Sequence, residues 1–535
     1  MRPSFWFLIL LHAFSFSLAS QVLSHRQGID ILHYDWKIEI SEESDTILGK
    51  ADIKIQFTRA LTHFYLDFNA PDSNGKGMFI SAISENGKPL TYQHKAEQLR
   101  IDRPVKVGDN IAITISYYGV PGDGLIISRN KFGDRTYFSD HWPNRAHHYL
   151  PVIDHPSEKA TSEFGIRCAP HLQVVSNGII RERTLVPDSL QWVRWYSNVP
   201  LPVKVQVFAA APFSVQEVAS INGIMVSSWV FPQNRAEGFL DYMAAAEVLQ
   251  QFIYWLGEGG IPLQKLANVQ SKTRYGGMEN AGCIFYFEES VNGKRDQEGL
   301  FAHEIAHQWF GNAVTEADWP HIWLSEGFAT YLAEVYTQEV KGEVAFRAGM
   351  DIARRRILLF EAKNPGRTIR DSLSDLNAYL SPLTYQKAAW FLHSLRCSEG
   401  DSVFWNALHT YLKTHWYSNA TTDDFLTIWN RVSGIDYTHY FERWLSSSGS
   451  PDIEWSYSFD DPNNKLLLKV NQTQHKWLPQ RVRVGWTDAK GNSGEHYVNI
   501  TSAATEFHLP AAAAPVEVTL GDDGCLYYQN ISNIR

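Results

Sequence analysis

Cysteine is scarce in this chain. There are four in 535 residues, Cys168, Cys283, Cys397 and Cys525, all far apart. None has the close spacing of a cysteine metal-ligand motif. Nothing in the spacing pairs them, so two or more are expected as free buried thiols. Positive charge is also short: 48 Lys and Arg stand against 58 Asp and Glu, a net charge of −10. That balance argues against nucleic acid as the main partner. Long apolar runs are missing except near the start. There, residues 5–18 are mostly apolar but are broken by His12 and Ser15, and the run is shorter than the ~20 residues a membrane span needs. With Arg2 before it and the small residues Ser17, Ala19 and Ser20 at its end, it reads as an export signal cut after Ala19 or Ser20. The expected protein is secreted or periplasmic, with no stable membrane anchor after cleavage. Internal repeats are absent, and residues 511–514 are the single low-complexity tract.

Core-forming residues, in contrast, are plentiful: 44% of the chain is hydrophobic, with 18 Trp, enough for three domains or so. Period two dominates after the signal. Tyr34, Trp36, Ile38 and Ile40 alternate with polar residues, as do Ile53, Ile55 and Phe57, and then Ile111, Ile113 and Ile115. Strands of this kind have one wet face. Residues 203–213 look like the last of them. Residues 224–230 again suggest a strand, residues 236–256 a long amphipathic helix, and helices prevail through Trp444. The segment 446–451, Ser-Ser-Ser-Gly-Ser-Pro, has linker composition. Beyond it, Val482, Val484 and Trp486, then Val516, Val518 and Leu520, restore period two. The expected fold is multi-domain α+β: a signal peptide at 1–20, an N-terminal β-sandwich or saddle at 21–212, an α+β block with a helical later half at 213–447, and a small C-terminal β-sandwich at 448–535.

The segment Gly299-Leu-Phe-Ala-His303-Glu304-Ile-Ala-His307 places two histidines four apart in an apolar run that reads as a buried helix. On a helix they share one face and can reach one ion. Glu304, about 100° further round, can take a proton from water. The bland alternative is two surface histidines beside a glutamate. A catalytic zinc site wants three protein ligands and an open position. Glu326, in Trp323-Leu-Ser-Glu326-Gly-Phe, is the expected third, on a second helix that follows a loop holding Pro320. One Zn2+ per chain suits this imidazole and carboxylate set. Upstream, Tyr275-Gly276-Gly277-Met278-Glu279-Asn280 offers adjacent glycines. They serve either as a bulge or as an extended edge that pairs with a peptide.

His-Glu-Ile-Ala-His followed by Glu326 and preceded by Gly-Gly-Met-Glu-Asn resembles the gluzincin aminopeptidases, the alanyl-aminopeptidase and leukotriene-hydrolase family of zinc exopeptidases. Trp309-Phe-Gly-Asn312, Val314, Thr315 and Trp319 resemble that family too, and the likeness runs over most of the chain, which implies that the block at 213–447 is a thermolysin-like zinc peptidase catalytic domain. It implies that Gly276, Gly277, Met278, Glu279 and Asn280 are substrate-binding residues, with Glu279 holding the free α-amine. It also implies that Tyr385, in Leu383-Thr-Tyr385-Gln-Lys387, donates to the oxyanion; Tyr379 is a weaker candidate.

Two departures stand out. Trp142 occupies a place where the family usually has Gln or Glu, so an indole shapes the substrate pocket and offers a cation–π contact worth ~0.5–2 kcal/mol. The nearby His141, His147, His148 and His155 have no ligand spacing and are expected to be structural. Members of that family also usually continue into a helical C-terminal domain, for which the about 85 residues after the linker are expected to leave no room. The resemblance implies a zinc metallo-aminopeptidase acting on peptides with a free N-terminus. The alternatives are a zincin endopeptidase, a bifunctional epoxide hydrolase and a non-catalytic peptide-binding protein.

Overall fold

The computed structural model describes residues 28–257, 263–473 and 477–534, so the export signal read at residues 1–20 lies outside the described residues. The chain divides into two compact units. One comprises residues up to 246 together with 262–295; the other comprises 247–261 and 296–535.

The first unit is built of mixed sheets. Eight strands form the largest, in which Ile29–Ser41 pairs antiparallel with Ser44–Phe57 and parallel with Lys159–Cys168. The period-two reading holds here. Tyr34, Trp36, Ile38 and Ile40 are buried while Asp35, Lys37 and Glu39 are half-exposed. A bulge between Ile31 and His33 resets the phase, so Ile29 and Ile31 also point inward. The rings of Tyr34 and Trp36 stack at 4.6 Å. The stretch 203–213 is less regular than its pattern suggests: Val203–Val205 is a 3-10 turn, and the strand is confined to Phe208–Ala211. Residues 236–256 likewise split into Arg235–Tyr242 and Ala244–Leu256, with a tighter bond from the Ala246 N–H to the Met243 carbonyl at the break.

A five-stranded sheet completes this unit. Its order is Ser214–Ile221, Ile224–Val230, Lys265–Gln270, Cys283–Tyr286 and, at the edge, Gly277–Met278.

The second unit joins a helical region to two C-terminal sheets. Lys465–Gln472 and Gln480–Asp488 are inner strands of these sheets, and Leu466, Leu468, Val470, Val482 and Val484 share one core. Val516 departs from the expected pattern and is 62% exposed. The register shifts between Thr487 and Asp488, opposite the start of its strand, and the inward alternation begins only at Val518. Cys397 and Cys525 form a disulfide that closes a loop of 128 residues, whereas Cys168 and Cys283 are free and buried. Two free thiols agree with the sequence expectation; the pairing was not legible in it. Among the described residues no helix is long and apolar enough to cross a membrane.

Candidate metal centre

Two helices of the second unit carry the expected ligands. Glu298–Ala306 holds His303 and Glu304, and His307 ends it, its N–H donating to the His303 carbonyl at 3.3 Å. The chain then turns and re-enters at Trp319–His321, where the Asp318 carboxylate accepts from the Trp319 N–H at 2.7 Å. The helix Trp323–Lys341 follows, with Glu326 in its first turn, where the positive end of the helix dipole favours a carboxylate.

The three donor atoms converge. The His303 and His307 Nε2 atoms are 3.1 Å apart. Glu326 Oε2 lies 3.4 Å from the first and 3.2 Å from the second. Ligand bonds of 2.0–2.1 Å at tetrahedral angles put donors about 3.3 Å apart, so this trio fits one zinc ion. Burial alone would raise the Glu326 carboxyl, but the two imidazoles beside it, His307 first, pull it below the usual carboxylate range.

The surroundings fix one imidazole. His307 Nδ1 lies 3.0 Å from the Phe310 carbonyl. A carbonyl only accepts, so Nδ1 carries the proton and Nε2 presents its lone pair to the ion. The Ser325 hydroxyl, 3.1 Å from the same Nδ1, also donates to the Phe310 carbonyl at 3.3 Å. Gly311 allows this approach. Its φ is +120°, and a Cβ there would stand 2.3 Å from Ser325 Oγ and 3.3 Å from His307 Nδ1. Phe310 in turn stacks on Phe328 at 4.4 Å, and Trp323 Nε1 donates to Thr422 at 3.0 Å. Ser325, Phe310 and Gly311 were missed as supports. The one clue was their place inside the motif segments, since main-chain acceptors leave no signature in residue type.

Glu304 is 4% exposed and is not one of the converging donors. Tyr385 sits in a single π turn, Leu383–Lys387, a local irregularity common at functional sites. Its ring lies nearly parallel to the His303 imidazole, 5.9 Å between centroids at 13°. Tyr379 is otherwise engaged: its hydroxyl donates to the Asp371 carbonyl at 3.0 Å and accepts from the Leu373 N–H at 3.1 Å. That hydroxyl belongs to the loop's own framework.

In the first unit, Gly277 and Met278 pair antiparallel with Tyr286 and Phe285 at the sheet edge. Gly277 lies in the extended edge, whereas Gly276 is in the bend just before it. Glu279 and Asn280 follow, 4% and 1% exposed. Trp142 is buried, its ring edge-on to Tyr275 at 6.1 Å, and the Arg145 guanidinium lies 5.8 Å from the Tyr275 centroid.

The four nearby histidines are spread among separate partners. His141 bonds the Val203 carbonyl at 3.1 Å and the Tyr149 hydroxyl at 2.8 Å, and burial pushes it down to about 4. His147 bonds Asp154 at 2.8 Å, His148 meets the Asn69 side-chain amide at 3.3 Å, and His155 bonds Ser157 at 2.7 Å. Burial would lower His147, but the Asp154 carboxylate outweighs it and raises the imidazole. Among the described residues, one further trio of donors comes together, His393 with Cys397 and Cys525, and its two sulfurs are spent in the disulfide.

Two family profiles match the chain. The Peptidase M1 N-terminal domain covers residues 31–203, and the Peptidase family M1 domain covers residues 258–444, the converging trio included. The chain belongs to peptidase family M1. Relatives within the family include a glutamyl aminopeptidase of Bitis rhinoceros, 26% identical over 65% of this chain and 39% of its own length. An aminopeptidase A of Gloydius brevicauda is 25% identical over 90% of this chain and 54% of its own. This M1 chain thus spans about half the length of the curated relatives it matches. A crystal structure of a mutant M1 zinc metallopeptidase from Deinococcus radiodurans shares the fold, with a TM-score of 0.69 and 23% identity, over 80% of this chain and 96% of that one.

Proposed function

We propose that this M1 chain is a zinc-dependent aminopeptidase that removes the N-terminal residue of peptides. The observation that carries the reading is the meeting of His303, His307 and Glu326 at zinc-ligand spacing, with Glu304 buried on the same helix. The names of the M1 relatives, glutamyl aminopeptidase and aminopeptidase A, favour an exopeptidase.

His303, His307 and Glu326 would hold one ion per chain. Zinc bound there supplies a Lewis acid and lowers the pKa of water. Glu304 takes the proton of the attacking water and delivers it to the leaving amine. Tyr385 donates its hydroxyl to the oxygen that gains charge. The backbone of Gly276 and Gly277 aligns the peptide as an added strand. Glu279 holds the α-ammonium, so cleavage falls after one residue, and Trp142 shapes the pocket for that residue. The protein is exported in this reading, supported by the apolar stretch at 5–18 and by a disulfide of the kind that persists in oxidising compartments.

The test is kinetic. Glu279→Ala lowers kcat/KM for an alanyl arylamide by about 10²-fold or more, the loss expected for a charge-assisted contact to ammonium. Any slow hydrolysis of the N-acetylated analogue stays where it was. An equal fall on both substrates, or a wild type that cuts capped and free peptides alike, speaks for an endopeptidase instead.

A further inference from the structure

A buried ion pair lies two residues from Tyr385, in the same π turn. Lys387 is fully buried. Its Nζ donates to Glu361 Oε1 at 2.7 Å and to the Gly449 carbonyl at 2.9 Å. The other Glu361 oxygen accepts from the Ser450 hydroxyl at 2.6 Å, and that hydroxyl meets the Tyr527 hydroxyl at 2.5 Å. Three parts of the second unit thus close on one ammonium: the helix Glu343–Lys363 through Glu361, the 446–451 linker through Gly449 and Ser450, and the C-terminal segment through Tyr527. The Gln480 side chain fixes Tyr527 by pairing with both its N–H and its carbonyl, at 2.8 and 3.0 Å.

A buried pair of this kind is weak evidence for stability, since well-packed apolar residues often serve as well. Its best-attested contribution is a fixed register. Here the register concerns a turn. The Lys387 N–H closes the π turn on the Pro382 carbonyl at 2.8 Å, and Ala388 behind it packs so closely on the Glu326 helix that a Cβ on Gly327 would come within 2.6 Å of its own. With Ala388 held against that helix and the Lys387 side chain held by Glu361, the turn between Pro382 and Ala388 has little freedom. Burial lowers the Lys387 ammonium against the pull of Glu361, so the pair depends on being complete.

We propose that Lys387 is a positioning residue for catalysis: its bonds to Glu361 and Gly449 lock the π turn so that the Tyr385 ring stays parallel to His303, and the C-terminal β region contributes to turnover through Ser450 and Tyr527. The proposal rests on the assignment of Tyr385 as the oxyanion donor.

The test is a double-mutant cycle in the full zinc-loaded chain, with an alanyl arylamide as the probe. Tyr385→Phe should lower kcat by about 10²-fold or more. Lys387→Met should lower kcat by about 10²-fold, the effect of a displacement of about 1 Å, with KM nearly unchanged and zinc content kept. In the Tyr385→Phe background, Lys387→Met should cost nothing further. Should Lys387→Met fail to fold, Ser450→Ala keeps the ion pair and loses the hydroxyl's two bonds, to Glu361 and to Tyr527. It should lower kcat about fivefold, and again only when Tyr385 is present. Losses that multiply in the Tyr385→Phe background, or a Lys387→Met enzyme of normal kcat beside an impaired Tyr385→Phe, overturn the positioning role alone. A fully active Tyr385→Phe enzyme removes the Tyr385 assignment first, and the positioning role with it.

Discussion

Glu304→Gln keeps its zinc and loses about 10³- to 10⁴-fold in kcat, the upper part of the range for a general acid–base group. Three observations set this expectation. Glu304 is not among the atoms that converge at the candidate centre, so its replacement leaves His303, His307 and Glu326 in place. Glutamine has the same shape, so the buried site is not opened. What disappears is a carboxylate that accepts a proton during attack and returns it to the leaving amine, and an amide does neither at neutral pH. Because binding of the peptide does not use that proton, KM should move little, the pattern of an interaction made only in the transition state. Metal analysis and steady-state kinetics on one preparation check both halves. Brisk turnover by this variant places the base elsewhere; loss of zinc makes Glu304 a ligand.

The second large effect concerns the ligands themselves. His307→Ala should lose the ion on dialysis and turnover with it, and His303→Ala should do the same. His307 is the more demanding case. Its imidazole is held by the Phe310 carbonyl and the Ser325 hydroxyl, and its removal leaves a hole beside Gly311. Some thermal destabilisation, about 1–3 kcal/mol for the groups left without partners, should accompany the loss. His303 is 18% exposed at the side chain and carries less of that structural load, so His303→Ala separates metal loss from instability. A His303→Ala protein that retains its full zinc content excludes that imidazole from the ligand set.

Much of this centre was legible in the sequence because its ligands follow helical spacing. Two histidines four apart and a glutamate entering on the next helix are statements about period, and the helices Glu298–Ala306 and Trp323–Lys341 realise them. The alternating strands were legible for the same reason, as Tyr34 to Ile40 show. Long-range pairings were not. The Cys397–Cys525 bond spans 128 residues, and Lys387 finds Glu361 on a different helix and Gly449 in a linker. Neither partner choice leaves a periodic trace, because topology decides it. Local irregularities escaped as well. The bulge opposite Val516 and the π turn at Tyr385 depend on how neighbouring elements close, whereas propensity is a property of single residues. The commitment of the Tyr379 hydroxyl to the Asp371 carbonyl is of the same kind.

The most direct measurement is a zinc titration of the chelator-stripped full chain, with alanyl arylamide turnover as the readout. Turnover should be absent without metal, rise in proportion to added zinc and level off at one equivalent per chain. Full turnover by the stripped protein, or none at any zinc concentration, contradicts the centre assigned to His303, His307 and Glu326.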